Sequence, residues 1–453
     1  MSVGLDPRGR DDGLGWVSRA VFPDERLRLT LTDGPQRTEP ARGERLLARY
    51  AVVPSAAAAR FLLPLGPRRV TAASVWAYNA LRPVSVRLPR ALLGLAARVG
   101  ALGATRPGTL TVSAPVDGVP QEALTLVDHV SARLGGGRWY AAIGVRPPDP
   151  NHKPTVQLFD AAGRPRGYAK IGWNGATRDL VRAEAAALAR AASASAVGDH
   201  PLVPGVLMAG DWSGQAVTVV EPLPARVRGV GAGDPPRVAA TSAIARRGGP
   251  PTAPRPLAGS AFLDRLRRLA AAAAGTGAVA DAGPAAVADA GPLGTAGPPE
   301  FAASAMDLPA GRRAVATVQR LADRFGDVSV EFGHWHGDWV PWNLGEHAGQ
   351  LVAWDWEHSG PDVPLGFDLA HDAFQRSLVL GGASAAAAAA AVDHRLDLVA
   401  AELAVEPTQR RMIVQSYLIE MWLRTWRLAV GGAGWNPALH PHLLDEIERR
   451  SVD

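Results

Sequence analysis

The chain has 453 residues, enough for two or three compact units, with 47% hydrophobic and 20% charged residues and a net charge of +5. It contains no cysteine, which excludes disulfides, thiolate metal sites and a cysteine nucleophile. The positive charge forms no dense Lys/Arg block and no zinc or helix-turn-helix pattern accompanies it, so nucleic acid is not an expected partner.

Met1 to Gly15 carries charges and no apolar core, so no secretory signal is expected. Arg45 to Val53 and Ala59 to Leu65 read as short strands. Val70 to Leu81 and Leu88 to Leu102 read as helices, with Leu92, Leu95 and Val99 at helical spacing. The longest apolar run, Ala91 to Ala104, is short and broken by Arg98, so it suits a buried helix and not a membrane span. No membrane and a cytoplasmic location are therefore expected. Ser113 to Gly118 reads as a turn-rich link, and Gln121 to Leu134 as a helix ended by three glycines.

Three strand-like runs follow: Trp139 to Arg146, Thr155 to Phe159 and Arg166 to Ile171. Arginine supplies nearly all the basic charge. The two lysines are Lys153, in the turn after the first run, and Lys170, at the end of the third. A lysine is a compact point charge that a phosphate pocket can use. A helix starts near Thr177, a suitable N-cap, and runs through Leu180, Val181, Glu184 and Leu188. Val206 to Ala209 and Ala216 to Val220 form a strand pair before Glu221-Pro-Leu-Pro224, whose prolines suit a stiff connection.

Residues 229–258 are rich in Gly, Pro and Arg, and Ala271 to Pro299 is nearly all Ala, Gly and Pro. The heptapeptide Ala-Val-Ala-Asp-Ala-Gly-Pro occurs at 278–284 and again at 286–292. Two copies bury no core, so a disordered linker is expected there. Phe262 to Ala273 is a short helix between these segments, and helix returns at Arg312 to Arg324. Ala383 to Val399 and Gln409 to Val430 are further helices. In the second, Met412, Tyr417, Leu418, Met421, Trp422 and Trp426 lie on or near one face, which is ordinary core spacing; Glu420, Arg424 and Arg427 either contact substrate or lie on a solvated face, the second being the expectation.

The most informative stretch is His334-Trp-His-Gly-Asp-Trp-Val-Pro-Trp-Asn343, followed by Val352-Ala-Trp-Asp-Trp-Glu357. Asp338 can accept or orient a hydroxyl proton. Asn343 and Asp355 offer hard oxygen ligands, which suit Mg²⁺ bridging nucleotide phosphates. The Asp-x4-Asn spacing matches the catalytic loop of kinases, with Gly337 where protein kinases carry Arg. His-Gly-Asp-x4-Asn, an apolar strand and then Asp-Trp-Glu together resemble the aminoglycoside phosphotransferase/choline kinase family.

That resemblance implies an α+β, bilobal protein-kinase-like fold, with a small antiparallel-sheet N-lobe and a mainly helical C-lobe. Residues 1–135 would be an extra N-terminal α/β region of unassigned role, 136–224 the N-lobe, 225–310 a low-complexity linker with a short helix, and 311–453 the C-lobe. It implies ATP and Mg²⁺ as cofactors and transfer of the γ-phosphate to a hydroxyl of a small-molecule acceptor. An aminoglycoside, an amino alcohol and a sugar all stay open, as does the oligomeric state. The alternative is a catalytically inactive nucleotide-binding scaffold. In the kinase reading Asp338 is the base, His336 braces its loop, and Asn343 and Asp355 hold the metal. Lys170 contacts the α/β-phosphates and Glu184 orients it. Lys153, with Asn151 and His152, either donates to phosphate or lies in a solvated hairpin turn, and Glu221 lies on the adenine side of the hinge. Glu357 supports the metal site, and Asp368 caps a helix or braces the catalytic loop. Of Trp335, Trp339, Trp342, Trp354 and Trp356, most belong to the core, with Trp339 and Trp342 the better candidates for ligand contact.

Overall fold

The computed structural model describes residues 5–33, 39–77, 84–101, 108–116, 120, 124–147, 149, 151–193, 199–231, 233–247, 249–275 and 307–452. The chain divides into two compact units, Met1–Trp173 with Pro204–Val227, and Asn174–Val203 with Arg228–Asp453.

The first unit is built on a nine-stranded sheet. Its strands are β1 (Arg28–Thr32), β2 (Glu44–Val53), β3 (Phe61–Pro64), β4 (Gly108–Pro115), β5 (Trp139–Gly144), β6 (Thr155–Asp160), β7 (Pro165–Gly172), β8 (Val206–Trp212) and β9 (Gln215–Val220). They lie in the order β1-β4-β2-β3-β5-β6-β7-β9-β8, with antiparallel pairing throughout. The N-terminal region does not fold apart from the strands that follow it. β3 pairs with β5, Phe61 opposite Gly144 and Leu62 opposite Ile143, so residues 1–135 extend the sheet formed by 136–172.

Two of the strands, β1 and β4, are absent from the sequence reading. β4 runs into the segment read as a turn-rich link, covering Ser113 to Pro115 of it. Thr109, Leu110, Thr111, Val112, Ser113 and Ala114 are all buried there, between β1 and β2. Thr109, Thr111 and Ser113 alternate along it with Leu110, Val112 and Ala114, so the period of a strand is present in the sequence although both faces are covered.

β7 shows that alternation clearly. Ala169 and Ile171 are buried, while Tyr168 and Lys170 point to the other face and are half-buried. The turn before it is shaped by the Asp160 carboxylate, which accepts from the backbone N–H of Ala162 (2.9 Å) and of Arg164 (3.0 Å).

The second unit is mainly helical. Its core gathers Phe262, Leu266, Leu321, Phe367, Phe374, Tyr417, Leu418 and Trp422 from four helices, Ala261–Ala273, Leu308–Phe325, Phe367–Gln375 and Pro407–Leu428. The last is buried continuously from Met412 to Trp426, so it has no solvated face over that span. Glu420 and Arg424 are therefore inside the protein. Glu420 accepts two bonds from the Arg265 guanidinium, at 2.8 and 3.0 Å. Burial works against its ionisation, but Arg265, Arg424 and Arg427 hold its carboxyl below the usual range.

From Arg228 on, the described part of 225–310 joins the helical unit. Arg228 and Gly229 pair with Glu346 and Gly345, and Val238, Leu257, Phe262 and Leu263 enter the core. The repeats at 278–292 lie outside the described residues. Among the described residues, no helix is long and apolar enough to cross a membrane.

Candidate active site

The strand Phe332–Trp335, paired with Gly360–Pro364, delivers the chain to His336. The next turn needs glycine. Gly337 has φ +82°, and a Cβ there would collide with the carbonyl of His358. Asp368, in the first turn of the helix Phe367–Gln375, grips this turn from below. Its two oxygens accept from the backbone N–H groups of His336 (2.8 Å) and Gly337 (3.0 Å). Arg424 donates to the Gly337 carbonyl (2.8 Å), with its guanidinium 4.8 Å from the centre of the Trp335 ring. Burial pushes the Asp368 carboxyl up to about 7, against the pull of the two backbone donors and of Arg424.

His336 is fully buried, and both its ring nitrogens are engaged. Nδ1 accepts from the Asp338 N–H (3.2 Å), and Nε2 donates to the carbonyl of Trp354 (3.1 Å). Burial pushes its pKa down to about 4, so the ring is neutral near pH 7. A neutral ring with both nitrogens committed ties the Asp338 loop to the segment carrying Asp355.

The Asp338 side chain is 23% exposed and is held from two sides. The Asn343 amide, presented by the single turn Pro341–Asn343, donates to Oδ2 (2.8 Å) and also to the Asp338 carbonyl (3.1 Å). His371 Nε2 lies 3.1 Å from Oδ1, and His371 Nδ1 lies 3.1 Å from the Tyr417 hydroxyl. Neither His371 nor Tyr417 was singled out from the sequence as a site residue. The signal for His371 was its place three residues after Asp368, on the same face of one helix.

A second carboxylate group lies in the same unit. Ligand atoms of Glu184, Asp355 and Glu357 all fall within 4.8 Å of one another, and the two glutamates are buried. Glu184 comes from the helix Gly175–Ser193. Asn174, not Thr177, opens it: its Oδ1 accepts from the Thr177 N–H (2.8 Å), while Thr177 Oγ1 accepts from the Asn174 N–H (3.1 Å). Asp355 has φ +70°, in the left-handed region that costs a non-glycine residue about 1–3 kcal/mol. Trp354 N–H donates to the Asn343 carbonyl (3.1 Å), which fixes Asn343 beside the strand end that carries Asp355. Three converging carboxylates and an adjacent amide are the hard oxygen set that a divalent cation takes, so these residues fit Mg²⁺. The grouping places Glu184 beside Asp355 and Glu357, which its helical position alone did not reveal.

The remaining candidates lie in the first unit. Lys170 is on β7, opposite Thr155 of β6 and Thr218 of β9. Lys153 follows a turn in which the Asp149 carboxylate accepts from the Asn151 N–H (2.8 Å). The Glu221 carboxylate accepts from the Gly205 N–H (3.1 Å). Among the tryptophans, Trp335, Trp339 and Trp356 are buried. Trp339 is only 2% exposed and meets the His336 ring edge-on, which makes it core. Trp342, in the same loop, is 42% exposed.

No family model matches the chain, and no curated protein matches it. It is similar to a solved structure of a thermostable mutant of aminoglycoside phosphotransferase APH(4)-Ia in its apo form. The two are 14% identical, covering 72% of this chain and 98% of that one, with a TM-score of 0.41. It is also similar to an aminoglycoside phosphotransferase from Alicyclobacillus acidocaldarius (18% identity, 75% and 93% coverage, TM-score 0.29). A third is the amicoumacin kinase hAmiN in complex with AMP-PNP, Ca²⁺ and Ami (11% identity, 66% and 84% coverage, TM-score 0.33). The structural neighbours are thus small-molecule phosphotransferases, at low identity. The chemistry of the site rests on its own geometry.

Proposed function

We propose that the chain is an ATP-dependent small-molecule kinase that transfers the γ-phosphate to an acceptor hydroxyl. The observation that carries this reading is the Asp338 carboxylate, held by Asn343 and His371 and tied through His336 and Asn343 to the Glu184–Asp355–Glu357 cluster. Asp338 orients the acceptor hydroxyl and takes its proton as the oxygen attacks the γ-phosphorus. The bond from that phosphorus to the β,γ-bridging oxygen breaks, and ADP leaves. Asp355 and Asn343, with Glu357 and Glu184 beside them, would hold Mg²⁺. The ion supplies neutralising charge to the β- and γ-phosphates when bound. Lys170 is assigned to the phosphates, with Lys153 and Glu221 as further nucleotide-side residues. His336 keeps the loop in shape and takes no proton. Trp342, exposed in the same loop, is assigned to cover the acceptor, whether sugar ring or amine.

The test is a thermal-shift titration with Mg·ATP on wild type and Asp355→Ala in parallel. Wild type is expected to be stabilised and the variant not. No shift in wild type would overturn the nucleotide site, while equal shifts in both would overturn Asp355 as a ligand. Acceptors are then sought by ADP formation over a panel of aminoglycosides, amino alcohols and sugars.

A further inference from the structure

His371 has no exposed surface and cannot touch an acceptor, yet it meets one oxygen of the residue assigned as base. Since a carboxylate oxygen only accepts, His371 Nε2 carries the proton in that contact. Burial holds the imidazole below its usual pKa despite Asp338, so the ring is neutral and Nδ1 is bare. Tyr417 therefore donates its O–H to Nδ1 at 3.1 Å, and it too is fully buried, with its hydroxyl held protonated by that burial. The chain of donors runs one way, from Tyr417 through His371 to Asp338.

Both rings are fixed by aromatic walls. Tyr417 meets Phe367 edge-on at 5.7 Å and Phe374 at 5.9 Å, and Trp335 meets His371 edge-on at 6.3 Å. Neither ring can turn without breaking into the core that these residues share. Asn343 holds the other carboxylate oxygen. With one donor fixed on each oxygen, the carboxylate cannot rotate, and each oxygen retains a lone pair for the acceptor hydroxyl.

We infer that His371 and Tyr417 are a positioning pair for Asp338: Tyr417 sets the tautomer of His371, and His371 locks the carboxylate in the rotamer that meets the acceptor. This rests on the kinase reading of Asp338. A hydrogen bond to a charged group is worth enough that its loss slows the chemical step by about 10- to 100-fold. The loss falls on kcat, because the pair has no part in holding ATP.

The test compares His371→Leu, His371→Gln, Tyr417→Phe and Asp338→Asn with wild type. ADP formation from Mg·ATP is followed with the panel acceptor that wild type uses fastest, or with water where it uses none. His371→Leu is expected to lower kcat by about 10- to 100-fold with KM for ATP within about twofold. His371→Gln restores a donor near the Nε2 position and is expected to recover part of that loss. Histidine ¹⁵N spectra, with His371 assigned by its absence in the Gln variant, are expected to show the neutral Nε2–H form in wild type and a mixture in Tyr417→Phe. A buried pair that served only the fold would move the melting temperature and leave kcat of the surviving protein unchanged. Wild-type kcat in His371→Leu beside an inactive Asp338→Asn overturns the pair, as does an Nδ1–H tautomer in wild type. Wild-type turnover in Asp338→Asn overturns the kinase reading, and this inference with it. If the leucine variant does not fold, Tyr417→Phe decides, since it keeps the ring packing: unchanged kcat with an unchanged tautomer overturns the pair.

Discussion

Asp338 has a donor fixed on each oxygen, Asn343 on one and His371 on the other, whereas Glu184, Asp355 and Glu357 bring three carboxylates within 4.8 Å of one another. The second gathers like charge, a set of oxygens that a divalent cation among them would draw together. In the proposed kinase reading the difference separates two tasks within one unit: one carboxylate is held to meet a hydroxyl, and three are gathered to take a metal.

The largest expected effect breaks the first site alone. Asp338→Asn should leave ATP binding nearly intact and lower turnover by about 10²–10⁴, or roughly 3–5 kcal/mol of barrier. Near-normal turnover on the true acceptor would remove Asp338 from the role of base. Asp355→Ala breaks the second site alone: Mg²⁺-dependent nucleotide binding should vanish in titration calorimetry, and an unchanged Mg·ATP affinity would count against Asp355 as a ligand.

The loop beneath Asp338 sharpens the comparison, because it depends on buried groups whose protonation differs between the folded and unfolded chain. Asp368 is pushed up to about 7 in the fold, so between its ordinary value and 7 the folded state binds a proton that the unfolded state has lost. Its contribution to stability falls as pH rises through that window, by about 4 kcal/mol in all. His336 is pushed down to about 4, so between 4 and its ordinary value the unfolded state binds the extra proton. Its contribution rises with pH, by about 3 kcal/mol. The two nearly cancel. Asp368→Asn removes the first and leaves the second, so its stability should climb more steeply than that of wild type between pH 4 and 7, by about 3 kcal/mol. Urea unfolding at pH 4 and 7 measures the difference, and parallel behaviour of the two proteins would mean that Asp368 is already ionised in the loop.

Much of this site could be read from spacing, because Asp338, Asn343 and the Asp355 segment lie close together in the chain. The order of the fold, an antiparallel sheet and then a mainly helical part, was legible too, from strand-like runs followed by longer helical periods. What was not legible came from packing between distant segments. His371 and Tyr417 reach Asp338 only because the helices Phe367–Gln375 and Pro407–Leu428 share a core. Arg424 looked like a surface charge from its helical spacing, but the helix that carries it is buried all round and its guanidinium binds the Gly337 carbonyl. β4 carries the alternation of a strand, Thr109, Thr111 and Ser113 against Leu110, Val112 and Ala114, and could have been read from the sequence; only its burial on both faces comes from packing.

Glu184 marks the smallest expected effect and the finest discrimination. From the sequence it was assigned to orient Lys170, and in the structure it stands with Asp355 and Glu357. The two roles differ in what removing its charge does. Within the cluster, Glu184→Gln should weaken Mg²⁺ binding, measured without nucleotide, by about tenfold, because one of three anionic ligands has become neutral. A residue that serves only to orient a lysine would instead leave Mg²⁺ affinity unchanged and weaken binding of ATP. Melting curves with and without Mg²⁺ in the absence of nucleotide therefore decide between the roles, since only the metal role predicts that Mg²⁺ stabilises the variant less than wild type.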